Sequence, residues 1–203
     1  MVTIIIIIVT SYVSIAAFGD RTTLLPDNLR HEEWRYKFLF NAHGVVSECQ
    51  YYRLISHGFI HDDWTHLIFN MLTFYFFGKY VEEYFAFLFG NGGVLMYVVF
   101  YLTALCVASI PDLVRYRNNP RYNALGASGA VSAVVFAAIY VCPEMSIMFM
   151  FIPFPIPGYI YAVLYLAYSA FMAYKGDSQI AHTAHFAGAL YGFVFPLLFE
   201  CVL

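Results

Sequence analysis

The chain has 203 residues, of which 62% are hydrophobic, 20% aromatic and only 11% charged. A soluble domain carries about a quarter charged and just under half apolar residues, so this balance argues against an ordinary soluble protein and points to lipid. A formal charge of −3 with no Lys/Arg run leaves no basis for a nucleic-acid partner, and the length suits one domain, residues 1–203.

Apolar stretches of about 17–25 residues can cross a bilayer as helices. Six are predicted, over residues 1–18, 64–84, 93–110, 126–141, 158–174 and 181–203. The first lacks a basic flank, which favours a span over a cleaved signal peptide. Residues 19–63 form the first extramembrane loop and hold most of the charge. Within it, Trp34, Tyr36, Phe38 and Phe40 are mixed with Glu32, Glu33, Arg35 and Lys37, a combination suited to the headgroup region. The run Gly-Asn-Gly-Gly at 90–93 predicts a turn. Residues 111–122 read as a polar loop. Residues 145–152 are apolar but short and read as interfacial, and the alternating Pro153, Pro155 and Pro157 forbid regular helix. Cys49, Cys106, Cys142 and Cys201 form neither a C-x-x-C pair nor a metal-ligand spacing, so no metal and no cofactor is expected.

Polar groups inside apolar spans are costly and point to function. Three clusters stand out. The first is Gly126-Ala127-Ser128-Gly129, opening the fourth span. A lone membrane serine usually bonds back to a carbonyl. Here small neighbours leave room for a substrate backbone, and a helix N-terminus favours developing negative charge. The second is His182-x-x-His185-x-x-Gly188-x-x-x-Gly192. His185 shares a helical face with Gly188 and Gly192, and that face can pack tightly. Packed on the fourth span, it would bring His185 beside Ser128, as a serine nucleophile requires. His182 reads as a polar boundary residue. The third is His57-x-x-x-His61-x-x-x-x-His66-x-x-x-Asn70. His66 and Asn70 share a face and could aim two donors at one oxyanion; interhelical hydrogen bonding is the alternative. His57 and His61 precede the span and are given structural roles. No acidic residue lies in these clusters, so a Ser/His dyad is expected rather than a triad.

Taken in order, these motifs resemble the rhomboid family over roughly residues 50–200. Gly126-Ala127-Ser128-Gly129 matches its G-x-S-G, His185 with Gly188 and Gly192 its H-x-x-G-x-x-x-G, and His66 with Asn70 its H-x-x-x-N. Arg53, the run Ser56-His57-Gly58-Phe59-Ile60-His61, Gly78 and Glu82 are further matches. The resemblance implies an all-α, polytopic membrane protein: a six-transmembrane-helix rhomboid-like bundle with a water-filled cavity. It implies an intramembrane serine endopeptidase that cleaves transmembrane segments of other membrane proteins without cofactor. Ser128 would be the nucleophile and His185 the base, then acid. His66, Asn70 and the Ser128 backbone N–H would form the oxyanion hole. Gly126, Gly129, Gly188 and Gly192 would shape the helix packing and the substrate cleft. Residues 175–180 would cap the cavity. Tyr52-Arg53 stands where members often have Trp-Arg, and Ser132 where many carry an aromatic that stacks on the histidine.

The family's topology has a cytoplasmic N-terminus. Only Lys79 of the ten Lys/Arg residues would then clearly face the cytoplasm, whereas the positive-inside rule favours the reverse. The expected partners are transmembrane substrates and the lipid bilayer. The expected location is a bacterial cytoplasmic (inner) membrane, as a multi-pass protein. Two other functions fit the spans. One is an inactive rhomboid-like protein that binds membrane proteins, although such relatives lose the serine or histidine. The other is a small transporter, which would show internal repeats that this chain lacks.

Overall fold

The computed structural model describes residues 1–18, 32–149, 152–175 and 181–200. It is mostly helical. Helix α1, Val2–Ala17, inverts the pattern of a soluble helix: Ile4, Ile5, Ile8 and Val9 are exposed, while Thr3, Thr10 and Ser14 are buried. That arrangement suits a helix whose outer face meets lipid. Its first turn is capped from another helix, because the Glu82 carboxylate accepts from the Val2 N–H at 2.8 Å and from the Thr3 hydroxyl at 2.8 Å.

The first loop holds three short helices, α2 (Glu32–Phe38), α3 (Ala42–Ser47) and α4 (Arg53–Ser56), then a 3₁₀ turn at His57–Phe59. Arg53 ties it together, donating to the carbonyls of Tyr36 at 2.9 Å and Leu39 at 2.8 Å. Asn41 caps α3 and also donates to the Tyr122 carbonyl at 3.0 Å. Phe40 and Ala124 exchange both backbone hydrogen bonds, so this loop braces the segment that leads to Ser128.

Helices α5 (Trp64–Phe89) and α6 (Gly93–Tyr116) are joined by a 3₁₀ turn at Gly90–Gly92 and pack on one another. Gly93 permits the closeness: a Cβ there would stand 2.6 Å from the Ala86 Cα. Phe74, Phe85, Tyr97, Phe100 and Tyr101, all fully or nearly fully buried, fill the space between them. Among the described residues, the run Trp64–Tyr116 is long and apolar enough to cross a membrane, while Val2–Ala17 and Ser128–Val141 are apolar but shorter.

Helix α7, Ser128–Val141, lies at the centre and is buried along nearly its whole length. At about 1.5 Å per residue its 14 residues span roughly 21 Å, less than a hydrocarbon core of roughly 30 Å. Ser128 is its first residue, so the serine stands at one end of this short helix and not at its middle. Helices α8 (Gly158–Lys175) and α9 (His182–Glu200) complete the helical set, and α9 makes the closest packing with α7.

Three expectations are corrected. The polar loop predicted from 111 is helical to Tyr116, because Pro111 forfeits one backbone bond while Asp112 gains two side-chain partners. Helix α7 starts at Ser128 and not at 126, since Gly126 has φ +104°. The all-helical expectation fails at residues 146–157. There β1 (Ser146–Phe149) pairs antiparallel with β2 (Ile152–Pro157), Ile147 opposite Ile156. A two-stranded ribbon has free edges, which is where strand prolines are tolerated. The predicted cap at 176–180 and residues 19–31 of the first loop lie outside the described residues.

Candidate active site

Ser128 is the first residue of α7 and His185 lies in the first turn of α9. Their side chains meet: His185 Nε2 is 2.7 Å from Ser128 Oγ. Three small-residue contacts make the approach possible. A Cβ on Gly129 would lie 2.6 Å from the Ala108 Cβ of α6. One on Gly188 would lie 2.0 Å from the Gly129 carbonyl oxygen, and one on Gly192 1.9 Å from that of Ala133. Helix α9 thus rests on the bare backbone of α7.

The approach to Ser128 is set by the turn before it. Gly126 has φ +104°, a conformation side chains rarely adopt, and a Cβ there would collide with the His66 ring at 2.6 Å. The Gly126 N–H donates to the His57 carbonyl at 3.0 Å, and the Ala127 N–H to His61 Nε2 at 3.4 Å. The second bond assigns the His61 tautomer. With Nε2 accepting, Nδ1 carries the proton and donates to Ser14 Oγ at 2.9 Å; Ser14 in turn donates to the Phe59 carbonyl at 3.0 Å. Burial lowers the pKa of His61 to about 3, helped by nearby His66, and burial lowers that of His57 to about 4. Both rings are therefore neutral at physiological pH. His57 Nε2 is 3.0 Å from Ser109 Oγ. These two histidines support the loop that leads to Ser128. For His61 the sequence carries only its spacing from His66, which does not show that it lies beneath Ala127.

His66 sits in the first turn of α5, capped by Asp63, whose carboxylate accepts from the His66 N–H at 2.8 Å. Asn70 lies one turn on, buried, and donates one amide hydrogen to the His66 carbonyl at 3.0 Å, keeping a second donor free for other use. His66, Asn70, Ser128 and His185 all line one cavity of about 210 Å³, together with Val131, Tyr161 and Tyr165. A larger cavity of about 740 Å³ opens beside it, with Asp63, Asp112, Arg115 and Asn123 in its wall. Ser128, as an N-terminal helical residue, offers its N–H without an intrahelical acceptor.

Ser132, in place of an aromatic, bonds to the Ser128 carbonyl at 2.9 Å and to the Tyr165 hydroxyl of α8 at 2.6 Å. An aromatic ring still reaches this side of the site, but from the neighbouring helix. No carboxylate is hydrogen-bonded to His185 among the described residues. Nor, among them, is any group of three or more His, Cys, Asp or Glu residues arranged to hold a metal ion.

Residues 48–200, which include every residue of this site, match the profile of the Rhomboid domain. The chain belongs to the rhomboid family. Among curated proteins, a similar one is RHOMBOID-like protein 12, mitochondrial, from Arabidopsis thaliana, 28% identical over 144 residues, covering 67% of this chain and 43% of that protein. The chain thus spans less than half the length of that relative. Rhomboid proteins are embedded in membranes, and the lipid-facing apolar surfaces described above agree with that setting.

Proposed function

We propose that this rhomboid is an intramembrane serine endopeptidase working through a Ser128–His185 dyad, within a single six-span membrane domain. The observation that carries the reading is the 2.7 Å contact between Ser128 Oγ and His185 Nε2 across two helices. A serine hydroxyl is a weak nucleophile until a base accepts its proton. His185 takes that proton as Ser128 Oγ bonds to the scissile carbonyl carbon. The oxyanion that forms is met by donors from His66, Asn70 and the Ser128 N–H. Collapse breaks the C–N bond, with the proton passing from His185 to the leaving amine. A water then attacks the acyl carbon, His185 again accepting a proton; collapse breaks the bond to Ser128 Oγ, which takes that proton back as the acid product leaves. Among the described residues no carboxylate is hydrogen-bonded to His185, and tight packing on α7 orients it.

The substrates in this reading are transmembrane segments of other proteins, which family membership and the apolar helices around Ser128 support. An inactive, purely binding relative has no need of a hydroxyl held against a ring nitrogen, which favours hydrolysis. As to location, the relative named above is mitochondrial, and nothing found supports the bacterial cytoplasmic membrane expected from sequence. The reading is tested by reconstituting the chain in vesicles with a panel of single-span proteins. Cleavage that disappears in Ser128→Ala and in His185→Ala supports it; cleavage that survives both substitutions refutes it.

A further inference from the structure

His182 has no role in the dyad, yet it is 5% exposed and neither ring nitrogen has a hydrogen-bond partner among the described residues. Buried polar groups are nearly always satisfied, and one that is not calls for a physical reason. Its neighbours are satisfied: Thr183 Oγ1 donates to Asp112 at 2.8 Å, and Tyr122 donates to the same carboxylate at 2.6 Å. His182 instead lies in the wall of the 740 Å³ cavity, its ring edge-on to Tyr168 with centroids 5.5 Å apart. Its ring is 6.1 Å from that of His185, centroid to centroid, and nearly perpendicular, too far for a hydrogen bond between them. It is one helical turn before the base on α9 and shares the wall of the larger cavity with Ser128 and His185.

A membrane helix keeps its N–H and C=O groups bonded to one another. Once unwound for attack, those groups lose their helical partners and need new ones in the cavity. A neutral imidazole offers one donor and one acceptor, the pair a peptide unit needs. We propose that His182 is a substrate-binding residue, whose ring nitrogens pair with the backbone of the unwound substrate segment beside the scissile bond. The ring nitrogens start unsatisfied and out of contact with solvent, so the side chain turns toward the cavity to meet the unwound segment, and the pairing favours the unwound, bound state. This rests on the protease reading for its place in the reaction, but the binding itself does not require cleavage.

The test separates the two. In a Ser128→Ala background, the protein in phosphatidylcholine vesicles is titrated with a fluorescent synthetic single-span peptide carrying Gly-Pro near one end. His182→Phe keeps the ring volume and the Tyr168 contact but removes both nitrogens. His182→Gln keeps a donor and an acceptor. Loss of the pairing should weaken Kd about tenfold in His182→Phe, with recovery of at least half of that factor in His182→Gln. The same pair of variants with Ser128 restored should show the factor in KM, with kcat within about threefold. Equal Kd for wild type and both variants overturns the proposal. So does a fall in kcat without a change in Kd, since His182 would then act through His185. Weakened peptide binding in a chain that cleaves nothing keeps this inference and removes the protease reading.

Discussion

Gly188 of α9 sits directly over the carbonyl of Gly129 on α7, so close that a Cβ on it would stand 2.0 Å from the oxygen. No rotamer relieves that clash, because both partners are backbone. Gly188→Ala should therefore lower thermal stability and reduce turnover, and Gly188→Val should do both more severely. The helices must separate, and His185 would leave Ser128 with them. Wild-type melting temperature and activity in Gly188→Val would show that α9 is not held by close packing.

Asn70 spends one amide hydrogen on the His66 carbonyl and has one left. If the second serves the oxyanion, Asn70→Ala should slow cleavage by about 10²–10³, mostly in kcat. Steady-state kinetics on a reconstituted substrate checks this. Unchanged kcat with a lowered melting temperature would reduce Asn70 to a helix-packing role.

Low pH should loosen the loop that carries Ser128. His57 and His61 are buried and neutral, with burial lowering their pKa values from 6.5 to about 4 and about 3. An unfolded chain binds protons at these sites that the folded chain refuses, so folding stability rises with pH across this interval. Stability from these rings is full above pH 6.5 and falls as pH drops toward about 4 and 3. Melting curves between pH 4 and pH 7 should show this, and His61→Gln should flatten the slope. A melting temperature independent of pH in wild type would mean that neither ring is buried as described.

Substrates should yield where their helices are weak. The site lies at the start of a short α7, and attack needs an extended peptide, so unwinding near one membrane face comes first. Replacing the cleavage region of a substrate with leucines should suppress cutting, and restoring one Gly or Pro should recover it. A small residue at the cut fits a site bounded by Gly126, Ala127 and Gly129. Equal cleavage of all three versions would remove unwinding as the limiting step.

Much of this arrangement was legible in the sequence, for identifiable reasons. Ser128 stands between glycines, and His185 shares a helical face with two more, so spacing alone predicted faces that could meet. His66 and Asn70 were visible as a four-residue pair. The helix starts at Trp64, Gly93 and Gly158 follow from turn residues and the onset of apolar runs. What escaped depends on contacts distant in sequence. The support of Ala127 by His61 and Ser14 spans three elements, as does the grip of Tyr122 and Thr183 on Asp112. The continuation of α6 past Pro111 rests on that same grip. The β1–β2 hairpin was hidden because alternating prolines argue against helix without arguing for a strand. The Ser132–Tyr165 bond could not be foreseen from a position that had lost its aromatic.

The central claim is that Ser128 is activated by His185, and labelling with a fluorophosphonate, located by mass spectrometry, tests it most directly. The reagent captures a serine whose proton is removed as it attacks phosphorus. The account predicts one adduct, on Ser128, absent from Ser128→Ala and slowed by orders of magnitude in His185→Ala. An adduct on another residue, or labelling of Ser128 at an undiminished rate in His185→Ala, would contradict it.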